Sequence, residues 1–125
     1  MEGIMNFVHL RIFSNDLDAE LIRENLQLSP DVIGKPNETE KGRMTSWTYT
    51  EEADDESLNG VIDNLIRRLY EKKEFISKLS EFKNDVYLVI AHYVETYQKI
   101  ISIDSSLLSK LGEMKIELVI DIMAP

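Results

Sequence analysis

The stretch VYLVIAHYV at residues 86–94 decides the fold class, because it is apolar on both of its alternating faces. A strand buried on both faces lies in the interior of its sheet. Earlier in the chain, Val8, Leu10 and Ile12 alternate with polar residues, as in a strand with one buried face. Residues 44–50 are rich in β-favouring types and predict a further strand. These patterns indicate a sheet with residues 86–94 inside it.

Helical patterns separate the predicted strands. Asp16 or Asp18 predicts the start of a first helix, which ends before Pro30. The apolar spacing from Leu58 to Leu79 is interrupted at Lys72–Lys73, so we expect a break or a second short helix there. A last helix is predicted to begin at a cap in 104–106 and to end near Gly112.

Short strands are also predicted at 100–103 and at 116–122, the first following a turn near Tyr97 and Gln98. The resulting order, β-α-β-α-β-β-α-β, favours one α+β domain over residues 1–125. We expect a single mixed, mainly antiparallel sheet with helices on one face. The matched alternation of 8–13 and 116–122 predicts that the first and last strands share that sheet.

Composition narrows the classes of function. The net charge is −9 and there is no cysteine, which excludes disulfides, thiolate metal sites and a cysteine nucleophile. An acidic chain repels phosphate backbones, so we expect no nucleic-acid partner and favour a basic protein partner. No signal peptide and no apolar stretch of membrane-helix length is visible, so we expect a cytoplasmic protein without membrane association.

Catalytic and metal-binding motifs are not recognisable in the sequence. It has no glycine-rich phosphate loop, paired-histidine helix or nucleophile elbow. The two histidines, His9 and His92, fall on different predicted strands, and neither has a second histidine at ligand spacing. We therefore expect no enzyme activity, no cofactor and no intrinsic metal.

The densest run of charge is the segment 51–56, with five acids in six residues. It precedes a predicted helix N-terminus, where the helix dipole favours carboxylates. Such a run either caps the helix and keeps the chain soluble, or it steers a basic partner. The candidate contacts here are Glu51, Glu52, Asp54, Asp55 and Glu56, with Asp16, Asp18 and Glu20 as a possible extension.

A second candidate is one face of the sheet. His9 and Arg11 share a side of the first strand, and Asp121 lies on one side of the last. If these strands pair, Arg11 and Asp121 meet across the ladder. The face is then either a solvated surface with structural ion pairs or a mixed aromatic and charged interface, with Trp47 at its border or in the core.

The chain also resembles a known family. The segments that carry the likeness are Leu10–Ile12, Leu21–Ile22, the turn Leu26–Pro30, Trp47, Ser102–Leu108, Leu111–Gly112 and Leu118–Ile122. Together they resemble the bacterial domain of unknown function family DUF4279, over nearly the whole chain. The family usually has a glycine within the leucine–proline turn, where this chain has Gln27 or a neighbour. Some relatives of this general kind look like toxin-immunity proteins, which are small, acidic and cytosolic.

These observations predict a non-enzymatic protein-binding domain, and toxin immunity is the specific hypothesis. An acidic surface would cover the basic active site of a toxin. The alternative is a small-molecule-binding or enzymatic domain with a pocket beside the loop 30–43, with Arg43 and Trp47 at its mouth. A homo-oligomeric structural module is the third hypothesis.

Overall fold

A five-stranded mixed sheet with four helices on one side forms the fold of the computed structural model. The structure describes residues 6–14, 18–34, 45–81, 85–93 and 100–123. In chain order the elements are β1 Asn6–Ser14, α1 Ala19–Leu26, β2 Val32–Gly34, β3 Thr45–Ala53, α2 Leu58–Tyr70, α3 Lys73–Glu81, β4 Asp85–Tyr93, α4 Ser105–Glu113 and β5 Glu117–Met123.

The strand order across the sheet is β2-β3-β1-β4-β5. Three of the four pairings are antiparallel, and only β4 and β5 run parallel. The α+β class and the mixed, mainly antiparallel sheet are therefore confirmed. The doubly apolar stretch forms β4, an interior strand between β1 and β5, as its composition predicts.

The core lies between the sheet and the helices. On β1 the side chains of Val8, Leu10 and Ile12 are fully buried toward the helices. From α2, Ile62 and Leu65 are fully buried against them, and helices α1, α3 and α4 contribute to the same core cluster. The helical stripe is interrupted at Lys72 as expected, because α2 ends at Tyr70 and α3 begins at Lys73.

Two strand predictions are corrected. Residues 32–34, which were expected to lie in an irregular loop, form the short edge strand β2 against β3. Residues 100–103, expected as a strand, have no regular secondary structure and join no described strand. The side-chain amide of Asn59 on α2 donates to the Ile100 carbonyl at 3.0 Å and accepts from the Ser102 amide at 3.0 Å. One asparagine thus supplies the hydrogen bonds that a neighbouring strand would have supplied.

Helix α1 begins and ends with distinct local signals. Asp18 is its N-cap and accepts a hydrogen bond from the Leu21 amide at 3.1 Å. At the other end Gln27 takes the left-handed conformation, with φ of 56°. Left-handed residues favour glycine because a Cβ atom crowds the neighbouring carbonyl. Glutamine here therefore carries backbone strain.

Helix α4 ends later than expected. Gly112 was the expected end signal, yet the helix continues to Glu113. Lys115 takes the left-handed conformation, with φ of 59°. The Lys115 amide donates to the Gly112 carbonyl and the Ile116 amide to the Leu111 carbonyl, which is the hydrogen-bond pattern of a Schellman cap. This cap turns the chain directly into β5.

Among the described residues, no helix is long and apolar enough to cross a membrane.

Candidate partner-binding face

The side of the sheet opposite the helices is uncovered by any described helix, and we call it the open face. Strand registers place alternate residues of β3, β1, β4 and β5 side by side on it. Its described side chains are Ser46, Thr48, Thr50, Glu52, Phe7, His9, Arg11, Phe13, Asp85, Tyr87, Val89, Ala91, Tyr93, Glu117, Val119, Asp121 and Met123.

A groove of about 620 Å³ lies on this face above β4, between β1 and β5. Val89 forms part of its lining and is only 9% exposed although no described helix covers it. Its register partners are His9 on β1 and Val119 on β5. The lining residues are Arg11, Phe13, Asp85, Tyr87, Val89, Val119, Ile120 and Asp121.

Aromatic rings pack at both ends of the β1–β4 pair. The rings of Phe13 and Tyr87 meet edge to face with centroids 5.8 Å apart. At the other end Phe7 meets Tyr93 edge to face at 6.4 Å and stacks on His9 at 6.0 Å. Edge-to-face contacts are favourable aromatic geometries, so these rings hold one another in place.

His9 is held on the open face by a hydrogen bond between its Nδ1 and the Thr50 hydroxyl, at 2.8 Å. Burial lowers the pKa of His9, and the nearby Arg11 lowers it further, while Asp31 opposes both. The imidazole is therefore neutral at pH 7, and His9 adds no positive charge to the face.

The charged groups of the open face are mostly acidic. Four carboxylates, those of Glu52, Asp85, Glu117 and Asp121, share the face with the single guanidinium of Arg11. Arg11 makes no ion pair with any residue that the structure describes. Among the described residues, the face therefore has a negative field around one cation that makes no ion pair.

Tyr87 stays a hydrogen-bond donor within this acidic setting. Burial raises the pKa of its hydroxyl, and the carboxylates of Asp85 and Glu117 raise it further. The groove thus holds a protonated phenol beside acidic groups.

The first and last strands share the sheet, as predicted, but they are not neighbours. Strand β4 lies between them, so Tyr87 is the register partner of Arg11, and Ala91 is that of Asp121. The expected cross-strand pair of Arg11 and Asp121 is therefore wrong. Both residues nevertheless line the same groove.

The acidic run at 51–56 does not form one surface. It was expected just before a helix, yet Glu51 and Glu52 belong to β3 and point to opposite sides of the sheet. Glu51 faces the helices, 3.8 Å from Arg68, whereas Glu52 is exposed on the open face.

The remaining acids of the run occupy the turn before α2. Asp54 accepts a hydrogen bond from the Ser57 amide at 2.8 Å, which lowers the pKa of its carboxyl. Asp55 accepts one from the side chain of Asn6 at 2.9 Å, and Glu56 is exposed. Asp54 and Asp55 therefore serve local structure, and α2 has no acid in its first turn.

Trp47 belongs to the core. It is fully buried on the helix side of β3, so it cannot touch a partner. Its indole Nε1 has no hydrogen-bond partner among the described residues. Arg43 and most of the 30–43 loop, the site of the alternative pocket, lie outside the described residues.

A buried polar network was missed by the sequence interpretation. Asn6 is fully buried, and its Oδ1 accepts from the Tyr93 amide at 2.9 Å. The same oxygen lies 3.0 Å from His92 Nδ1. Because an amide oxygen can only accept, His92 Nδ1 must carry the hydrogen of this bond. With the bond from Asn6 to Asp55, this network ties β1, β4 and the turn before α2 together.

The signal for this network was present in the sequence. Asn6 is in phase with Val8 and Leu10, and His92 is in phase with Leu88 and Ile90, so both occupy core positions of their strands. Polar residues at such positions need hydrogen-bond partners.

Metal ligands do not converge in the described part of the chain, where no group of three or more His, Asp or Glu could hold an ion. His9 lies on the open face and His92 on the helix side, so the two histidines cannot share a metal.

The fold and the open face define a small α+β protein with one sheet surface that no described helix covers. The family model described as Domain of unknown function (DUF4279) matches residues 4–125. The chain belongs to this family, which confirms the resemblance seen in its motifs. No curated protein and no solved structure matches it significantly.

Proposed function

We propose that this chain is a non-enzymatic protein-binding domain that receives a basic partner protein on its open face. The observation that carries the proposal is the groove of about 620 Å³ on a sheet surface that no described helix covers. Aromatic rings, carboxylates and an arginine without an ion pair among the described residues lie around it. Contiguous apolar and aromatic groups rimmed by polar residues are typical of interaction surfaces.

The residue types suit a protein contact. Tyrosine and arginine are enriched among the residues that dominate binding energy. Tyr87 and Phe13 are half-buried and already packed on each other, so little conformational freedom is lost when a partner covers them. Arg11 beside them makes no ion pair within the described part of the chain and offers a charge-assisted hydrogen-bond donor.

The charges of the open face favour a partner with a positively charged contact surface. Glu52, Asp85, Glu117 and Asp121 surround the aromatic groups, and the whole chain carries a net charge of −9. Complementary charge accelerates association and excludes acidic competitors. A partner with a lysine- or arginine-rich surface fits this field.

Toxin immunity is the specific role that we assign to this binding. A small acidic domain would lie over the basic active site of a cognate toxin in the cytoplasm and block it sterically. The chain's lack of cysteine is compatible with a reducing compartment, and its acidity suits a toxin that acts on phosphate-containing substrates.

A small-molecule site is the second candidate, favoured by the volume of the groove, which falls within the usual range for ligand pockets. Its polar groups, Arg11, Asp85 and Asp121, would orient such a ligand.

The test is affinity capture from native lysate with matched variants. The open-face variant combines Arg11→Ala with Tyr87→Ala, and the control combines Leu21→Ala with Leu108→Ala, which are exposed on α1 and α4. We expect one basic protein to be retained in stoichiometric amount by the wild type and the control and lost by the open-face variant. Equal retention by the open-face variant would rule out this face.

Immunity is tested separately by expressing the captured protein. Its expression should arrest growth, and co-expression of the wild type but not of the open-face variant should restore growth. A captured protein that is harmless would overturn the immunity role and leave the binding role standing.

A further inference from the structure

Strand β5 is an unprotected edge of the sheet. It pairs with β4 on one side, and no described strand pairs with its other side. Exposed edges are usually shortened or carry lysine or proline, which prevent pairing with another chain. The opposite edge, β2, has only three residues, whereas β5 has seven with the sequence ELVIDIM and neither lysine nor proline.

The same strand exposes apolar side chains on both faces. On the helix side Leu118 packs against the core, but Ile120 is 45% and Ile122 is 65% exposed. On the open face Val119 is 36% exposed. A strand with free backbone groups and uncovered isoleucines is suited to bind a further strand.

We propose that β5 pairs antiparallel with β5 of a second copy of this chain, about a twofold axis through Ile120. The proposal does not rest on the function proposed above. A second copy is the favoured occupant because the strand is complementary to itself in one register.

The register follows from faces and charges. Opposed residues of an antiparallel pair point to the same side of the sheet. The helices of both copies therefore lie on one side only if odd-numbered residues oppose odd-numbered ones and even-numbered residues oppose even-numbered ones. Centring on Ile120 pairs all seven residues and opposes Leu118 to Ile122 and Val119 to Asp121.

The neighbouring registers are unfavourable. A twofold axis at Val119 places Glu117 opposite Asp121, and an axis at Asp121 places that residue opposite its own copy. Carboxylates directly opposite each other repel. Only the axis at Ile120 combines full overlap with no directly opposed carboxylates.

The dimer would bury an apolar strip made of Leu118, Ile120 and Ile122 from both copies between the two helix layers. Each Asp121 lies diagonal to acids of the other copy, so part of the repulsion remains. Salt screens this repulsion, and association should therefore strengthen with ionic strength.

Disulfide trapping tests the register directly, because the natural chain has no cysteine. With the Ile120→Cys variant, the two thiols face each other across the twofold axis, at the Cα separation that a disulfide spans. With Ile122→Cys the two thiols are four residues out of register, about 13 Å apart, and cannot join. Both positions are exposed in the monomer, which makes them a matched pair.

We expect the Ile120→Cys chain to form covalent dimers under mild oxidation at least about tenfold faster than the Ile122→Cys chain. Equal rates, or a faster reaction at position 122, would overturn the register. Circular dichroism of both variants checks that each is folded.

Sedimentation of the full chain over a concentration series tests the association itself. The wild type should dimerise, and Ile120→Lys should weaken the dimer by roughly tenfold or more. Ile100→Lys, at a residue 81% exposed outside the strand, is the control and should dimerise like the wild type. A wild type that stays monomeric to about 1 mM would overturn the proposal and leave a strand from another protein as the occupant of this edge.

Discussion

Arg11 on β1 and Asp121 on β5 line one groove although β4 separates their strands. Glu117 is the β5 residue in line with Arg11, and Asp121 lies four residues further along the strand. Two strand spacings and this offset place the backbones of Arg11 and Asp121 roughly 16 Å apart, too far for an ion pair. Each charge therefore remains available to a group that enters the groove. The two residues that were expected to pair with each other instead line the groove that we propose as the binding surface.

Stability should depend strongly on the buried Asn6. The Asn6→Ala variant removes the acceptor of His92 Nδ1, which remains buried, and of the Tyr93 amide, which remains partly buried. Buried donors without partners cost about 2 kcal/mol of unfolding free energy, measured by urea denaturation. Asn25→Ala is the control, because Asn25 bonds the Leu21 carbonyl at an exposed site, and that variant should be nearly neutral. A loss no greater than the control's would show that the network is not structurally important.

Replacing the C-cap residue of α1 by glycine should increase the free energy of unfolding. Gln27 has φ of 56°, where glycine is unstrained, so Gln27→Gly should raise the unfolding free energy by about 0.5–1 kcal/mol. Gln27→Ala keeps the Cβ atom and should bring no gain. If the glycine variant is less stable than the alanine variant, the left-handed conformation is not the source of strain.

Because of His9, the free energy of unfolding should decrease as the pH is lowered. Its pKa in the folded state lies below the ordinary value of 6.5, so the unfolded state binds more protons on acidification. The stabilisation is present above pH 6.5 and is lost as pH falls through the folded pKa. Urea midpoints of the wild type should therefore drop more between pH 7.5 and 5.5 than those of His9→Gln, with both pH values chosen about one unit either side of 6.5. Parallel curves for the two proteins would contradict the assigned shift.

Two acids of one run should behave differently toward the captured partner. Glu52 lies on the open face, whereas Glu56 lies in the turn before α2. At about 0.1 M salt, where screening limits interactions to roughly 10 Å, Glu52→Lys should slow association and Glu56→Lys should leave the rate near the wild type's. Stopped-flow association rates measure both. A larger effect at Glu56 would point to the turn as the contact.

Much of the fold was predictable because the spacing of apolar residues along the sequence indicates which side of a strand or helix is buried. The alternation of Val8, Leu10 and Ile12 identified the buried side of β1, and the doubly apolar stretch identified an interior strand. Asp18 and Asp104 each cap a helix as their positions indicated. These features depend on residues close in sequence, which a single chain displays.

The order of the strands in the sheet, and the structures of the segments 100–103 and 51–56, were not predictable from periodicity. Nothing in the alternation of β1 and β5 shows that β4 comes between them, because strand order is a tertiary property. The segment 100–103 has the apolar pattern of a strand, but its hydrogen bonds come from Asn59, which is about 40 residues away in sequence. Glu51 and Glu52 were separated by the pleat of β3, which turns adjacent residues to opposite faces, and the other acids of 51–56 lie in the turn that follows the strand.

The central claim, that the open face is the binding surface, is tested most directly by single-cysteine labelling with and without the captured partner, at a concentration where the chain is monomeric. Val119→Cys places the only thiol on the open face, and Leu108→Cys places it on α4; both side chains are exposed, at 36% and 47%. The account predicts that saturating partner slows maleimide labelling at position 119 by roughly tenfold or more and leaves the rate at position 108 unchanged. Protection at position 108 with unchanged labelling at position 119 would contradict it.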